Sequence, residues 1–283
     1  MPRLAAAMVL ALISPITPPA SGDEPKPPGV LRVATFNIHH AVGEDGRLDV
    51  DRVAGVVAGS DLAAFQEVDV RFGARSRNED QVGGLARALG GRAAFGGNLR
   101  APSGDGWYGV ALVTRRPILA ERNHPLPRSP GREGAEPRGL LEVTVDVDGR
   151  PLRVFVTHLA HDSKPDRLLQ VDAIRRALAS GTGPAILLGD FNFRPDSEEY
   201  ARLLAPTTPG GPTPLVDAWA RVGRGEGPTI GLKGDHPGRI DYLFATPDLA
   251  PGVESIRVDA ETAASDHQPL LATLRFPAEP PVR

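Results

Sequence analysis

The chain has 283 residues, 41% of them hydrophobic, with 32 Lys and Arg against 35 Asp and Glu and a net charge of −3. That composition excludes a disordered chain and gives no global electrostatic pull toward nucleic acid or an anionic membrane, leaving only a local basic patch open. The absence of cysteine excludes disulfides and thiolate metal sites, so any metal must be held by oxygen or imidazole.

Arg3 precedes an apolar run, LAAAMVLALI (residues 4–13), followed by the small residues and prolines of SPITPPASG. This is a signal-peptide pattern, too short to span a bilayer comfortably, and it predicts export with cleavage near Ala20 or Gly22. A retained membrane anchor is the competing reading. Residues 1–22 are thus assigned to a signal peptide, 23–29 to a Pro-rich extended linker and 30–283 to one folded domain.

Strand-like runs then recur: LRVATFNI, LAAFQEV, GVALVT, LLEVTVDV, LRVFVTHL, AILLGD, IDYLFA, VESIRV and PLLATLRF. Three helical patterns lie between them. DVDRVAGVVAGS starts at an Asp49 cap, and SKPDRLLQVDAIRRALAS opens with Ser163 three residues before Asp166. DSEEYARLL has Asp196 and Glu199 in the same relation. Many strands with fewer helices predict two packed sheets flanked by helices, an α+β class. Two loops rich in Gly, Pro and Arg, residues 126–139 and 221–239, are long enough to be functional or mobile.

The strand ends carry the chemistry. Asn37 closes the first run and is followed by His39 and His40; Gln66-Glu67, His158 and Asp190 close others, Asn192 follows Asp190, Asp241 precedes its run and Asp266-His267 precedes the last. Any one of these has a turn or surface explanation, but turns alone do not account for six such placements. Carboxylates, imidazoles and carboxamides bind hard cations, move protons and hold phosphate oxygens. In AILLGDFNFRPDS, Asp190 and Asn192 point the same way if strand geometry persists, with Phe191 packed behind. Gly189 lets the chain pass close to a ligand or turn sharply.

The ordered set FNIHH, FQEVD, YGVALVTRRPI, EPRG, THL, GDFN, RIDYLF and SDH resembles the endonuclease/exonuclease/phosphatase superfamily, the deoxyribonuclease I-like metal-dependent hydrolases. The resemblance spans Leu31 to Leu274. It implies a four-layered α/β/β/α sandwich, two mainly antiparallel sheets face to face with helices outside, and divalent-metal-dependent phosphoester hydrolysis at one edge of the sheets.

It also implies roles. Asp190 activates or positions the attacking water, and Asn192 helps bind the phosphate. Glu67 is the principal metal ligand, with Asn37 beside it and Asp266 near the metal or the leaving oxygen; Mg²⁺ is the expected ion, with Mn²⁺ or Ca²⁺ as alternatives. Asp241 orients His267, which stabilises the phosphorane or donates a proton, and His158 is a second active-site histidine. Tyr108 and Arg138 contact the phosphate. Where abasic-site nucleases of the family place Asp, this chain has His39, which puts that assignment and a second metal in doubt; His39 and His40 are either a binding contact or structural.

Two rivals remain. His158 and His161 in THLAHD suggest a zinc hydrolase, and a catalytically silent binding protein on the same fold is the other. Trp107 and Trp219 are isolated and read as packed rather than as lipid anchors. The expectation is a secreted monomer acting on nucleic acid, a phospholipid head group or a small phosphoester.

Overall fold

The alternation of a β-strand sends successive side chains to opposite faces, and here both faces of the central strands are apolar. Residues 29–208, 214–232 and 236–276 are described by the computed structural model; the expected signal peptide and the expected linker up to residue 28 lie outside them. In chain order the elements are β1 (Val30–Asn37), α1 (Val50–Val56), β2 (Leu62–Val70), α2 (Gln81–Ala88), β3 (Arg92–Arg100), β4 (Trp107–Thr114), β5 (Ile118–Pro125) and β6 (Gly139–Val147). These are followed by β7 (Arg150–His158), α3 (Lys164–Ala179), β8 (Ala185–Asp190), α4 (Glu198–Leu204), β9 (Val216–Asp217), α5 (Ala218–Val222), β10 (Asp241–Ala245), β11 (Val253–Val258) and β12 (Leu270–Arg275).

Two six-stranded sheets result, ordered β11-β12-β1-β2-β4-β3 and β5-β6-β7-β8-β10-β9. All pairings are antiparallel except one near the middle of each sheet, β1 with β2 and β7 with β8. Leu31, Val33, Leu62, Val110 and Leu112 of the first sheet share a buried cluster with Val143, Val154, Val156, Ile186 and Leu188 of the second. Each such side chain contributes about 1.5–3 kcal/mol by leaving water, and this layer is the largest of three buried clusters among the described residues. On the outer faces, Phe36, Phe65 and Val113 pack on Val53 of α1 and Leu85 of α2, while Phe155, Leu187 and Phe244 pack on Val171 and Ile174 of α3 and Leu203 of α4. The expected α/β/β/α sandwich of mainly antiparallel sheets is the architecture found.

Several local expectations need correction. Strands β3 and β5 and helix α2 were not legible in the sequence. Gly96 and Gly97 interrupt the apolar pattern of β3, β5 lies at a sheet edge with mostly exposed side chains, and Gly83-Gly84 sit inside α2. Helix α4 is capped by Ser197, whose Oγ accepts from the Tyr200 amide at 3.1 Å, and not by Asp196. Asp49 and Ser163 cap α1 and α3 as expected. The 126–139 loop is no free excursion. Ser129 donates its backbone N–H (2.8 Å) and its hydroxyl to the buried Asp166 carboxylate, and Arg132 donates to Asp166 at 2.9 Å and to Asp162.

Candidate active site

The rows of side chains facing the inter-sheet core turn from apolar to polar at one edge. In β1, Leu31 and Val33 lead to Thr35 and Asn37; in β2, Leu62 and Ala64 lead to Gln66. In β7, Val154 and Val156 lead to His158, and in β8, Ile186 and Leu188 lead to Asp190. Strand β10 runs the other way and so begins with Asp241 before Leu243 and Ala245. The ladders place Asn37 beside Gln66, His158 beside Asp190, and Asp190 opposite Asp241.

Alternation would send Glu67 to the helix side, together with Phe65. A register shift between Phe65 and Val68 breaks the ladder, and Glu67 takes a left-handed φ of 60°. Such a bulge re-aims a side chain, and the Glu67 carboxylate meets Asn37. His267 arrives from the loop before β12, its amide donating to Ser265 Oγ (3.2 Å), which itself donates to the Asn37 carbonyl (2.8 Å).

Asp190 is the meeting point. Its Oδ2 accepts from Asn37 Nδ2 at 3.0 Å and lies 3.4 Å from His158 Nε2 and 3.7 Å from His267 Nε2, while Oδ1 accepts from the Asn192 amide at 2.9 Å. Asn37 Nδ2 also donates to Glu67 Oε1 at 3.1 Å, so one carboxamide bridges two carboxylates. Asp241 Oδ2 pairs with His267 Nδ1 at 2.9 Å. Burial and the neighbouring Asp241 charge push Asp190 up to about 7. Burial opposes a charge on His267, but Asp241, through charge and hydrogen bond, and Asp190 outweigh it and raise this imidazole to about 10. His158 is held neutral by burial, reinforced by the positive charges of Arg138 and His267. One imidazolium, one neutral imidazole and one poised carboxylate therefore share a small space.

These groups open into a cavity of about 350 Å³ lined also by Tyr108, Arg138, Asn192 and Asp266. A larger hollow beside α1 and α2, about 450 Å³, contains none of the strand-end groups. Tyr108 is buried and its phenol is pushed upward by that burial and by Glu67. Arg138 is buried, paired with Glu136 at 3.0 Å, and donates toward His161 Nδ1 at 3.2 Å. Asp266 is exposed, with its Oδ1 3.1 Å from Ser265 Oγ. His39 and His40 line the cavity as well; His40 Nδ1 lies 3.5 Å from Glu67 Oε2.

Two expectations for the GDFN segment change. Strand geometry stops at Asp190, and Asn192 sits at a φ of 52°, its side chain donating to the Leu159 carbonyl at 3.1 Å. A turn closed on Asp190, not strand parity, brings both residues to the cavity. Gly189, at a φ of 145°, lets the β7 backbone come close: a Cβ there would collide with the Thr157 carbonyl. Phe191 does pack behind, against Phe193, Tyr242 and Phe244. Arg75, Leu99 and Glu136 were missed as cavity residues. Glu136 stands in the EPRG motif, and Arg75 left a signal in the basic run RFGARSR after the QEVD strand end; Leu99 left none.

For a cation, the donors at hand are Glu67, about one-fifth exposed, the Asn37 carboxamide and the exposed Asp266. The two carboxylates are hard oxygen groups, which fits Mg²⁺; Asn37 turns its Nδ2 to Glu67, and its Oδ1 accepts from the His39 amide at 3.1 Å. The ligand atoms of Asp190, Asp241 and His267 also lie within 4.8 Å of one another. In that group, however, His267 Nδ1 is already committed to Asp241, so it fits a proton relay better than a metal cage. His158 and His161 do not combine: one faces Asp190, the other Arg138.

A two-sheet sandwich with carboxylates, imidazoles and carboxamides gathered at the ends of its central strands defines the deoxyribonuclease I-like class. The Endonuclease/Exonuclease/phosphatase family model matches residues 34–267, and the chain belongs to that family. Its members are phosphoester hydrolases that depend on divalent metal. An endonuclease/exonuclease/phosphatase from Beutenbergia cavernae DSM 12333 is similar, with 29% identity over 89% of this chain and 73% of that one and a TM-score of 0.72. One from Bacteroides vulgatus has 23% identity over 88% and 99%, with a TM-score of 0.71. A mannosyl-6-phosphatase from Bacteroides thetaiotaomicron VPI-5482 has 20% identity over 87% and 100%, with a TM-score of 0.66. The latter two show a common fold.

Proposed function

We propose that this chain hydrolyses a phosphoester, with Asp190 as the base that activates water and with Glu67, Asn37 and Asp266 as the holders of a divalent cation, Mg²⁺ in the first instance. The observation that carries the reading is the convergence of Asn37, His158 and His267 on the single oxygen Asp190 Oδ2.

An effective general base titrates near the working pH, and burial beside Asp241 brings Asp190 to that range. Asn37 and the Asn192 amide fix the direction of its carboxylate. His267, charged and oriented by Asp241, donates to the phosphorane or to the departing oxygen. His158, Asn192, Tyr108 and Arg138 bind the non-bridging oxygens. When bound, the cation neutralises charge that develops on the phosphoryl oxygens.

The leader-like pattern of residues 1–22 supports export, and with it action on extracellular phosphoesters; a monomer is the default reading. Among the described residues no helix is long and apolar enough to cross a membrane. The likeness to a mannosyl-6-phosphatase makes small phosphomonoesters as good a candidate as nucleic acid.

The test is a substrate panel with Mg²⁺: p-nitrophenyl phosphate, its bis ester, sugar phosphates, DNA, RNA and phospholipid. Cleavage of at least one, stopped by EDTA and restored by Mg²⁺ or Mn²⁺, is expected. Restoration by Zn²⁺ alone would favour the zinc reading, and no cleavage at all the silent binding protein.

A further inference from the structure

Arg75 reaches the cavity from the loop between β2 and α2, and the loop is contorted to place it. Arg71, Arg77 and Asn78 sit at φ of 51°, 52° and 57°, and Gly73 at 153°. Non-glycine residues adopt such conformations at a cost that surrounding structure must impose, and they gather at functional sites. A short 3₁₀ turn, Ala74–Ser76, carries the side chain, with Ser76 fully buried beneath it.

The guanidinium is held on one edge. Arg75 Nε donates to Asp69 Oδ2 at 2.8 Å and its second terminal nitrogen to Asp69 Oδ1 at 2.7 Å, a two-pronged fork on a carboxylate with no exposure. Its Cζ lies 4.3 Å from the centre of the Phe72 ring and 5.1 Å from that of Tyr108. The remaining terminal nitrogen has no hydrogen-bond partner among the described residues, and the side chain stays 40% exposed.

A buried carboxylate with its partner cation can often be replaced by an apolar pair without loss of stability. The Asp69–Arg75 pair is thus poorly explained as a device for folding alone. Its effect is to lock a planar cation next to Glu67 and Tyr108, so that a ligand meets it already oriented. Arg138 differs: its side chain is 4% exposed and matched by Glu136.

We infer that Arg75 is a substrate-binding residue that, anchored by Asp69 and stacked on Phe72 and Tyr108, donates to an anionic phosphate oxygen on the Glu67 side of the cavity. The assignment rests on the phosphoester reading of the site. The oxygen belongs either to the scissile phosphoryl group or to a second phosphate of the substrate.

Calorimetric binding of inorganic phosphate and of pyrophosphate, with Mg²⁺ present, tests this without turnover. The proteins are wild type, Arg75→Gln, and the double variant Asp69→Asn/Arg75→Gln, which leaves no unpaired buried charge. Both variants should lose affinity by about tenfold to a hundredfold, the scale of one hydrogen bond to a charged group. Equal loss for both ligands assigns the scissile phosphoryl group; loss confined to pyrophosphate assigns a second phosphate. A folded double variant that binds both ligands like wild type overturns the inference, as does a wild type that binds neither. A wild type that binds phosphate through Arg75 but cleaves nothing leaves the inference standing and removes the hydrolase reading instead.

Discussion

Asp190 and Asp241 face each other across the β8–β10 ladder, both buried, yet they meet different partners. Asp241 is hydrogen-bonded to His267 Nδ1 at 2.9 Å, whereas Asp190 sits at the far side of the same imidazole, 3.7 Å from Nε2. The result is a carboxylate pushed up to about 7 by burial and by Asp241, beside an imidazole that Asp241 raises, against its own burial, to about 10. Environments that drive two titratable groups apart in this way define an acid and a base.

That separation fixes a pH profile. The kcat/KM for the preferred substrate should rise as pH climbs through about 7, where Asp190 ionises, and fall above about 10, where His267 loses its proton. Asp241→Asn removes a charge that raises both groups, so both limbs should move to lower pH. A variant whose alkaline limb stays in place would break the link between Asp241 and His267.

Asp190 should also burden the fold. Its folded value lies above its ordinary 3.8, so stability falls as pH rises from there to about 7, where the buried group must ionise. Asp190→Asn removes that charge; its one carbonyl oxygen keeps the bond from the Asn192 amide, while its NH2 replaces the oxygen that accepts from Asn37. Calorimetric melting at pH 8 should show a higher Tm by a few degrees, one kcal/mol being worth roughly 2–4 °C at this size. The gain should nearly vanish at pH 3.5, where wild-type Asp190 is mostly protonated in both states. A lower Tm at pH 8 would show that the contacts of the ionised carboxylate outweigh its burial.

Much of this site was legible because a strand has a period of two. The rows Leu31-Val33-Thr35-Asn37 and Ile186-Leu188-Asp190 continue a core face into polar groups, so the strand ends disclosed Asn37, His158, Asp190 and Asp241. What strand periodicity alone does not give depends on partners distant in sequence or on broken periodicity. Glu67 faces the cavity only because of a bulge against β4, and Asn192 only because the chain turns on the Asp190 side chain. Arg75 takes its meaning from Asp69 and the rings of Phe72 and Tyr108, none of which a run of basic letters reveals. Strand β3 was hidden by Gly96 and Gly97, whose pairing with β4 is supplied by the ladder and not by side-chain pattern.

The most direct test is the turnover of the best phosphoester by Asp190→Ala and His267→Ala at saturating Mg²⁺, each protein first shown to keep its secondary structure. A positioned base contributes about 100- to 10,000-fold, so each variant should lose at least about 100-fold in kcat. A folded Asp190→Ala protein that turns over near the wild-type rate would contradict the assignment of this cavity as the place where the phosphoester is cleaved.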